Sequence, residues 1–239
     1  MAYALWIVAT LALTPLLQAP EPCAFTEPRG TFSIRHVDGH PNLSADPELA
    51  VWKNAGEQSM SKDCRRQIDY PTLETEVRGF WTDSDLYLLF RCPYTELNLF
   101  LPADNSKERV GLWNRDVVEM FIGDYWDNIR HYREFEIAPT GDWIDLAIDL
   151  DRHRYDHTWQ SGWQTMAHID ENQKVWYAAA RIPLSAVTSK TVEPGTKWRL
   201  NLYRIDGVGA DPQRHFMCWQ KTCGGNHVPD SFGTLVFEK

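Results

Sequence analysis

The run Trp143-Ile-Asp-Leu-Ala-Ile-Asp-Leu-Asp151 alternates apolar and polar residues with a period of two. A helix repeats its faces every 3.6 residues, so this pattern fits only a strand. It places Ile144, Leu146, Ile148 and Leu150 on one face, predicted to meet a core. Asp145, Asp149 and Asp151 fall on the other, predicted to meet solvent. The stretch Lys197-Trp-Arg-Leu-Asn-Leu-Tyr-Arg204 divides in the same way: Trp198, Leu200 and Leu202 against Arg199, Asn201 and Tyr203.

Further strands are predicted over 76–80, 86–91, 116–122, 132–138, 175–182 and 233–237. Thr82-Asp-Ser-Asp85 reads as a turn and Pro139-Thr-Gly141 as a hairpin connection. Pro183-Leu-Ser-Ala186 reads as one helical turn, and few segments sustain a helical period. Many short strands with regular turn signals predict an all-β fold: an antiparallel β-sandwich of immunoglobulin-like or jelly-roll type with little helix.

The net charge of −9 and the lack of a Lys/Arg stripe argue against nucleic acid as a partner. Residues 3–19 form an apolar run that is too short, and too broken by Pro15, for a comfortable membrane span. Residues 1–19 are read as a secretory signal peptide ending at Ala19, although no Lys or Arg precedes the run. The expected location is extracellular or periplasmic, with no membrane span in the mature protein. Cys23 follows Pro-Glu-Pro, without the small residues of a lipoprotein signal, so no lipid anchor is expected. Export permits disulfides. Cys218 and Cys223 are close enough in sequence to close a small loop, and Cys64 and Cys92 are candidates to join neighbouring strands, leaving Cys23 as the spare. No paired C-x-x-C spacing points to zinc.

Several stretches occur in a distinctive order. They are Leu112-Trp-Asn-Arg-Asp-Val-Val-Glu-Met-Phe-Ile-Gly123, Tyr132-Arg-Glu-Phe-Glu-Ile-Ala-Pro-Thr-Gly-Asp142, Ala178-Ala-Ala-Arg-Ile-Pro183, Cys218-Trp-Gln220 and His227-Val-Pro-Asp-Ser-Phe-Gly-Thr-Leu235. With Val51-Trp-Lys-Asn-Ala55 and Gly79-Phe-Trp-Thr-Asp-Ser-Asp-Leu-Tyr87, this set resembles the family 9 carbohydrate-binding modules and their family 9-like, DOMON-like relatives. The resemblance covers residues 30–239 as a single β-sandwich domain. It implies sugar binding in a slot between aromatic side chains, with structural calcium in some members. It matches Trp113 to the first stacking tryptophan and Glu119 to a carboxylate that bonds sugar hydroxyls. The position of the second stacking tryptophan falls near Asn226 and His227, and Glu136 stands where the family can carry a sugar-contacting arginine.

The residue types suit that chemistry. A pyranose shows C–H bonds on one face and hydroxyls at its edge, so an aromatic face and a few rim polar groups recognise it. The chain has eleven tryptophans. Trp143, Trp176 and Trp198 read as core. Trp113 reads as a ligand platform, with Arg115, Glu119, Asn226 and His227 at its rim. Trp219 reads either as a further contact or as packing on a Cys218–Cys223 loop.

Other chemistries have weaker signals. Glu134 and Glu136 share a strand face roughly 7 Å apart, a spacing glycoside hydrolysis tolerates but any strand with two acids supplies. No nucleophile elbow, metalloprotease motif or phosphate loop occurs, so no catalytic residue is assigned. Asp124, Asp127, Asp142, Asp145, Asp149 and Asp151 are the oxygen donors open to calcium. A haem would need Met120 or Met217 paired with His215 or His227. The expected protein binds an oligo- or polysaccharide on an exposed tryptophan and does not cut it.

Overall fold

The computed structural model describes residues 29–64, 68–222 and 224–239. The leader assigned to residues 1–19, together with Cys23 and Cys223, lies outside the described residues. Thirteen strands carry the fold: β1 (Thr31–His36), β2 (Gly56–Met60), β3 (Thr75–Trp81), β4 (Asp85–Pro93), β5 (Val117–Gly123), β6 (His131–Ile137), β7 (Trp143–Asp149), β8 (Arg154–Asp156), β9 (Gln164–Asp170), β10 (Val175–Pro183), β11 (Lys197–Asp206), β12 (His215–Cys218) and β13 (Gly233–Phe237). Among the described residues, two single-turn α-helices join them, α1 (Ala50–Lys53) and α2 (Leu184–Val187). The second is the helical turn expected after Pro183.

The strands form one curled sheet in the order β8-β7-β6-β5-β11-β13-β1-β3-β4-β10-β9, with β12 on β11 and β2 on β3. The sheet is mixed rather than purely antiparallel. Thr31–Ile34 pair in parallel with β13, while Arg35 and His36 pair in parallel with β3. The first and last strands thus lie side by side, and β1 passes from one half of the sheet to the other. Every other strand pairing among the described residues is antiparallel.

The halves fold over a shared core. Phe32, Val77, Leu88, Phe90, Trp176 and Ala178 come from one half, and Met120, Ile122, Phe135, Trp198, Leu200 and Leu202 from the other. Removing a side chain such as Trp176 from water stabilises the fold by about 25 cal/mol per Å² of apolar area. Arg204 also crosses between the halves. It is wholly buried, reaches the Leu73 carbonyl at 3.2 Å, Thr75 Oγ1 at 3.0 Å and the Pro93 carbonyl at 2.5 Å, and pairs with Asp206.

Both halves are covered on their outer faces as well. Trp52 on α1 packs with Phe80, Tyr87 and Ala179 outside β3, β4 and β10. On the opposite half, Leu112, Phe121, Tyr132, Leu146, Tyr203, Phe216 and Phe232 form an outer cluster. This explains a departure from simple alternation. Ile144, Leu146 and Ile148 of β7 are buried in the outer cluster, not in the core between the halves. Asp145, expected in solvent, is buried beside them, because the 159–163 segment covers its face and Ser161 donates to its carboxylate. Asp149 and Asp151 keep contact with solvent.

The cysteines pair differently from either expected bridge. Cys64 is bonded to Cys218, across 154 positions, with the Cα atoms 5.4 Å apart. Residues 62–64 run along β12: the Cys64 amide donates to the Phe216 carbonyl at 2.7 Å and the Cys218 amide to the Lys62 carbonyl at 3.1 Å. Cys92 is a free thiol sealed in the core between the halves, and burial pushes it up to about 12. Removing the bridge (Cys64→Ser with Cys218→Ser) should lower unfolding free energy by about 2–4 kcal/mol in denaturant titrations. Non-reducing peptide mapping should recover the Cys64–Cys218 link, and Cys92 should resist alkylation until the chain unfolds.

Candidate functional site

A cavity of about 450 Å³ opens on the outer face of the half containing β5, β6, β7 and β11. Strand register sets its floor. Phe121 on β5 lies opposite Glu134 on β6, and Glu134 lies opposite Leu146 on β7. One step along β5, Glu119 lies between Glu136 and Tyr203. Successive residues of a strand face opposite ways, so Val118, Met120 and Ile122 enter the core while Glu119 and Phe121 face the cavity.

Aromatic groups stand at the walls. Trp113 sits in the single 3-10 turn Leu112–Asn114, which starts after Gly111 at φ 84°, a left-handed conformation that favours glycine. Leu112 is buried and anchors the turn, while Trp113 remains 39% exposed. Arg214 grips the turn from below, donating to the Trp113 carbonyl at 3.2 Å and the Arg115 carbonyl at 2.8 Å. Its other amino group lies 3.5 Å from Asp211, which also lines the cavity. Tyr155 on β8, 43% exposed, also lines the cavity.

His227 lies between these walls and the floor. Its ring stacks on Phe121 with centroids 5.1 Å apart and meets the edge of Tyr155 at 4.8 Å. Its Nδ1 is 2.7 Å from the Tyr132 hydroxyl. Burial depresses it to about 4, so the ring is neutral at physiological pH. With Tyr132 donating, the ring proton sits on Nε2, 3.9 Å from Glu134 Oε2. Beside it, Asn226 donates to Glu119 Oε2 at 2.8 Å, and its carbonyl accepts from the Tyr203 hydroxyl at 2.8 Å.

The floor carries buried acids. Glu119, Glu134 and Glu136 are each at least 95% buried. Burial first, and the neighbouring Glu119 second, push Glu134 up to about 8. The same causes, with Glu134 added, hold Glu136 well above the usual carboxylate range. Two oxygens at the cavity, Glu134 Oε2 and Asn226 Oδ1, have no hydrogen-bond partner among the described residues. An unmatched buried acceptor costs about 1–3 kcal/mol, so these atoms are poised for donors from a ligand.

Of the sequence-predicted residues, Trp113, Glu119, Asn226 and His227 line this one cavity. Arg115 does not. The backbone turns extended after Asn114, and the guanidinium stacks on Phe100 at 4.9 Å. Trp219 is placed elsewhere too. It packs on the core between the halves, 6.4 Å from Phe32, beyond the end of β12. The structure adds Phe121, Tyr155, Glu134 and Arg214. Glu134 was legible as one of two acids on a strand face. Tyr155 lies in Asp151-Arg-His-Arg-Tyr-Asp156, a polar run without alternation that gave no signal.

A larger cavity of about 520 Å³ lies nearby between Asp124 and Asp156. There Arg152 pairs with Asp149 and Arg154 with Asp156, while Asp124 Oδ2 has no hydrogen-bond partner among the described residues. The smaller cavity, with the exposed rings of Trp113 and Tyr155 at its walls and four of the residues singled out from the sequence, is the better candidate. Among the described residues, neither cofactor suggested by the sequence finds a ready set of side-chain ligands. Among the described residues, only His131, Asp149 and Asp151 bring three donor atoms within 4.8 Å of one another. That set includes an imidazole, and Arg152 and Arg130 already pair with its two acids, whereas calcium takes six to eight oxygens. For haem, Met120 points into the core between the halves while His227 faces the outer cavity. Met217 is buried on β12, and His215 is held by Asp206 at 3.1 Å. Among the described residues, Met120 and Met217 do not join His215 or His227 in lining the cavities described.

The raised acid has a stability consequence. Glu134 holds its proton up to about pH 8 when folded, against 4.5 for an ordinary glutamate. Its stabilising contribution is therefore complete below pH 4.5 and is lost as pH rises through about 8. Glu134→Gln should melt higher than the parent at pH 8, with the gap closing toward pH 5, in paired thermal melts. His227 acts in the other window, losing stability as pH falls from 6.5 to about 4, equally in both proteins.

Comparison with known proteins agrees with this architecture. A Bacteroides uniformis protein described as a candidate carbohydrate-binding protein superposes with a TM-score of 0.70 at 20% identity, over 87% of this chain and 99% of that one. A family 9 carbohydrate-binding module from Caldicellulosiruptor kristjanssonii in complex with cellotriose gives 0.63 at 16% identity, over 87% and 94%. The structure of a family 9 module from the same organism in complex with glucose gives 0.58 at 17%, over 86% and 95%. No curated protein matches significantly. The family model for carbohydrate family 9 binding domain-like sequences matches residues 47–239. The chain belongs to that family.

Proposed function

We propose that this chain is an exported, non-catalytic carbohydrate-binding protein that seats a sugar ring on Trp113. The observation that carries the reading is a half-exposed tryptophan standing over a buried floor with two unmatched acceptors, Glu134 Oε2 and Asn226 Oδ1. The ring would cover the C–H face of a pyranose, and the acceptors would take its hydroxyls. Tyr155 faces the same cavity and supplies a second aromatic wall, at a place in the chain remote from Asn226 and His227. Related modules held cellotriose and glucose, so gluco-configured units are the first ligands to test.

A binding role is favoured over hydrolysis by the placement of the acids. Glycosidases set two carboxyls on opposite sides of the scissile bond. Here Glu134 and Glu136 stand side by side on β6, and Glu136 is wholly buried. Export is supported by the apolar leader and by the Cys64–Cys218 bridge, since disulfides persist in oxidising compartments. Residues 30–239 act as one domain in this reading.

In affinity electrophoresis or calorimetry against cello-oligosaccharides, Trp113→Ala should weaken binding at least ~10-fold, the loss of one well-stacked ring. Trp126→Ala, at an exposed tryptophan outside the cavity, should bind as the parent does. Equal binding by Trp113→Ala would remove this site. Tyr155→Ala should weaken binding by about 3–10-fold, in line with a single aromatic contact. Incubation with the same sugars should release no reducing ends.

A further inference from the structure

We propose that the chain has a second saccharide site, for a neutral sugar, in the cavity beside Trp143 and Trp163. It shares a ligand class with the site at Trp113 but none of its residues, and it stands on its own geometry. The cavity measures about 450 Å³ and lies where the starts of β7 and β9 meet the 159–163 segment. β7 keeps the two sites apart. Leu146 lines the Trp113 cavity, whereas Trp143, three positions away, points to the opposite face and packs on the core between the halves.

Two indoles meet here at 81°, with ring centroids 6.1 Å apart, and they differ in one respect. Trp143 donates its Nε1 proton to the Asn105 carbonyl at 3.2 Å. Trp163 is 8% exposed, and its buried Nε1 bonds to no described residue. A buried indole N–H ordinarily has an acceptor, and leaving it without one costs about 1–3 kcal/mol. A sugar oxygen is an acceptor of the kind this donor lacks. Side-chain amides complete the lining. Asn105 is held in place by its loop, where the Asp104 amide donates to the Asp142 carboxylate at 3.0 Å and the Arg109 amide to the Trp143 carbonyl at 2.9 Å. Asn42 follows Pro41, whose carbonyl accepts from the Tyr87 hydroxyl at 3.0 Å. Gln164 stands opposite Arg181 in the register of β9 and β10. An amide both donates and accepts, as a hydroxyl does, so these three side chains suit the edge of a sugar ring. Arg181 is the one charged side chain that lines the cavity among the described residues, and Asp85 lies 3.8 Å from its Nε. A lining so nearly neutral gives an ionised ligand little to pair with and matches a neutral, hydroxyl-rich one.

This is the weaker of the two sites, because Trp163 is nearly covered and Trp143 partly buried, whereas Trp113 is 39% exposed. The test is NMR on the full chain, with the indole N–H signals assigned through bonds on the parent protein. The probes are cellotriose, its N-acetylated chitin counterpart triacetylchitotriose, and the anionic trigalacturonate. Either neutral sugar should move the Trp163 N–H signal downfield as the group gains an acceptor. Saturation should need at least ~10-fold more sugar than the Trp113 site does in calorimetry. The movement should persist in Trp113→Ala and account for the binding which that variant retains. Asn105→Ala combined with Gln164→Ala, both at exposed positions, should raise the sugar needed at Trp163 by ~3-fold or more while the Trp113 site keeps its parental affinity. The second site is wrong if the Trp163 signal stays still with both neutral sugars, or moves with trigalacturonate alone. It is equally wrong if the movement is lost in Trp113→Ala, or if the double variant responds as the parent does. If Trp163 responds but Trp113→Ala binds as tightly as the parent, the first site fails and this one stands. The signal is read on the parent protein, so the outcome does not depend on how a variant folds.

Discussion

A residue in a strand points to one face or the other, and on β5 both faces are out of water. Val118, Met120 and Ile122 enter the core between the halves, while Glu119 and Phe121 floor the pocket. The two sets cannot move independently. A slip of one position would send the acid into the core and the methionine into the pocket. The same holds for β11, where Leu200 and Leu202 face inward and Tyr203 outward. The core therefore holds the pocket floor in register, and the pocket inherits the rigidity of the packing behind it.

That arrangement carries an electrostatic burden. Three glutamates removed from water within one small region are costly unless some stay protonated or find partners. The protein uses both remedies. Glu134 and Glu136 are held above the usual carboxylate range, and Glu119 accepts from Asn226. His227 remains neutral and completes the wall through ring stacking on Phe121. Polar groups with unmatched capacity persist in folded proteins where something else uses them, which is why the floor reads as a site and not as a flaw.

Much of the fold was legible because alternation is a strong signal. The strands over 143–149 and 197–206 followed from period two alone, and the ordered motifs located Trp113 and Glu119. What escaped the sequence was long-range. The parallel pairings of β1 depend on the first and last strands lying side by side. The Cys64–Cys218 bridge depends on residues 62–64 running beside β12. Asp145 was read as solvated because alternation reports two faces and not what covers each of them. Tyr155 sits on a three-residue edge strand whose only apolar residue is itself, so no periodicity marked it. Arg115 was drawn in by its closeness to Trp113, but Trp113 sits in the 3-10 turn while the backbone becomes extended at Arg115, whose guanidinium goes to Phe100.

Arg214 holds the turn at Trp113 through the main-chain carbonyls of residues 113 and 115. The mount and the ring it presents are thus separable. Exchange of the ring for another aromatic or aliphatic side chain leaves the grip intact, whereas loss of Arg214 would free the turn whatever residue it bears. Position 113 is in this sense an evolvable socket. The side chain there can be exchanged by a single substitution while the main-chain grip of Arg214 on the turn is kept.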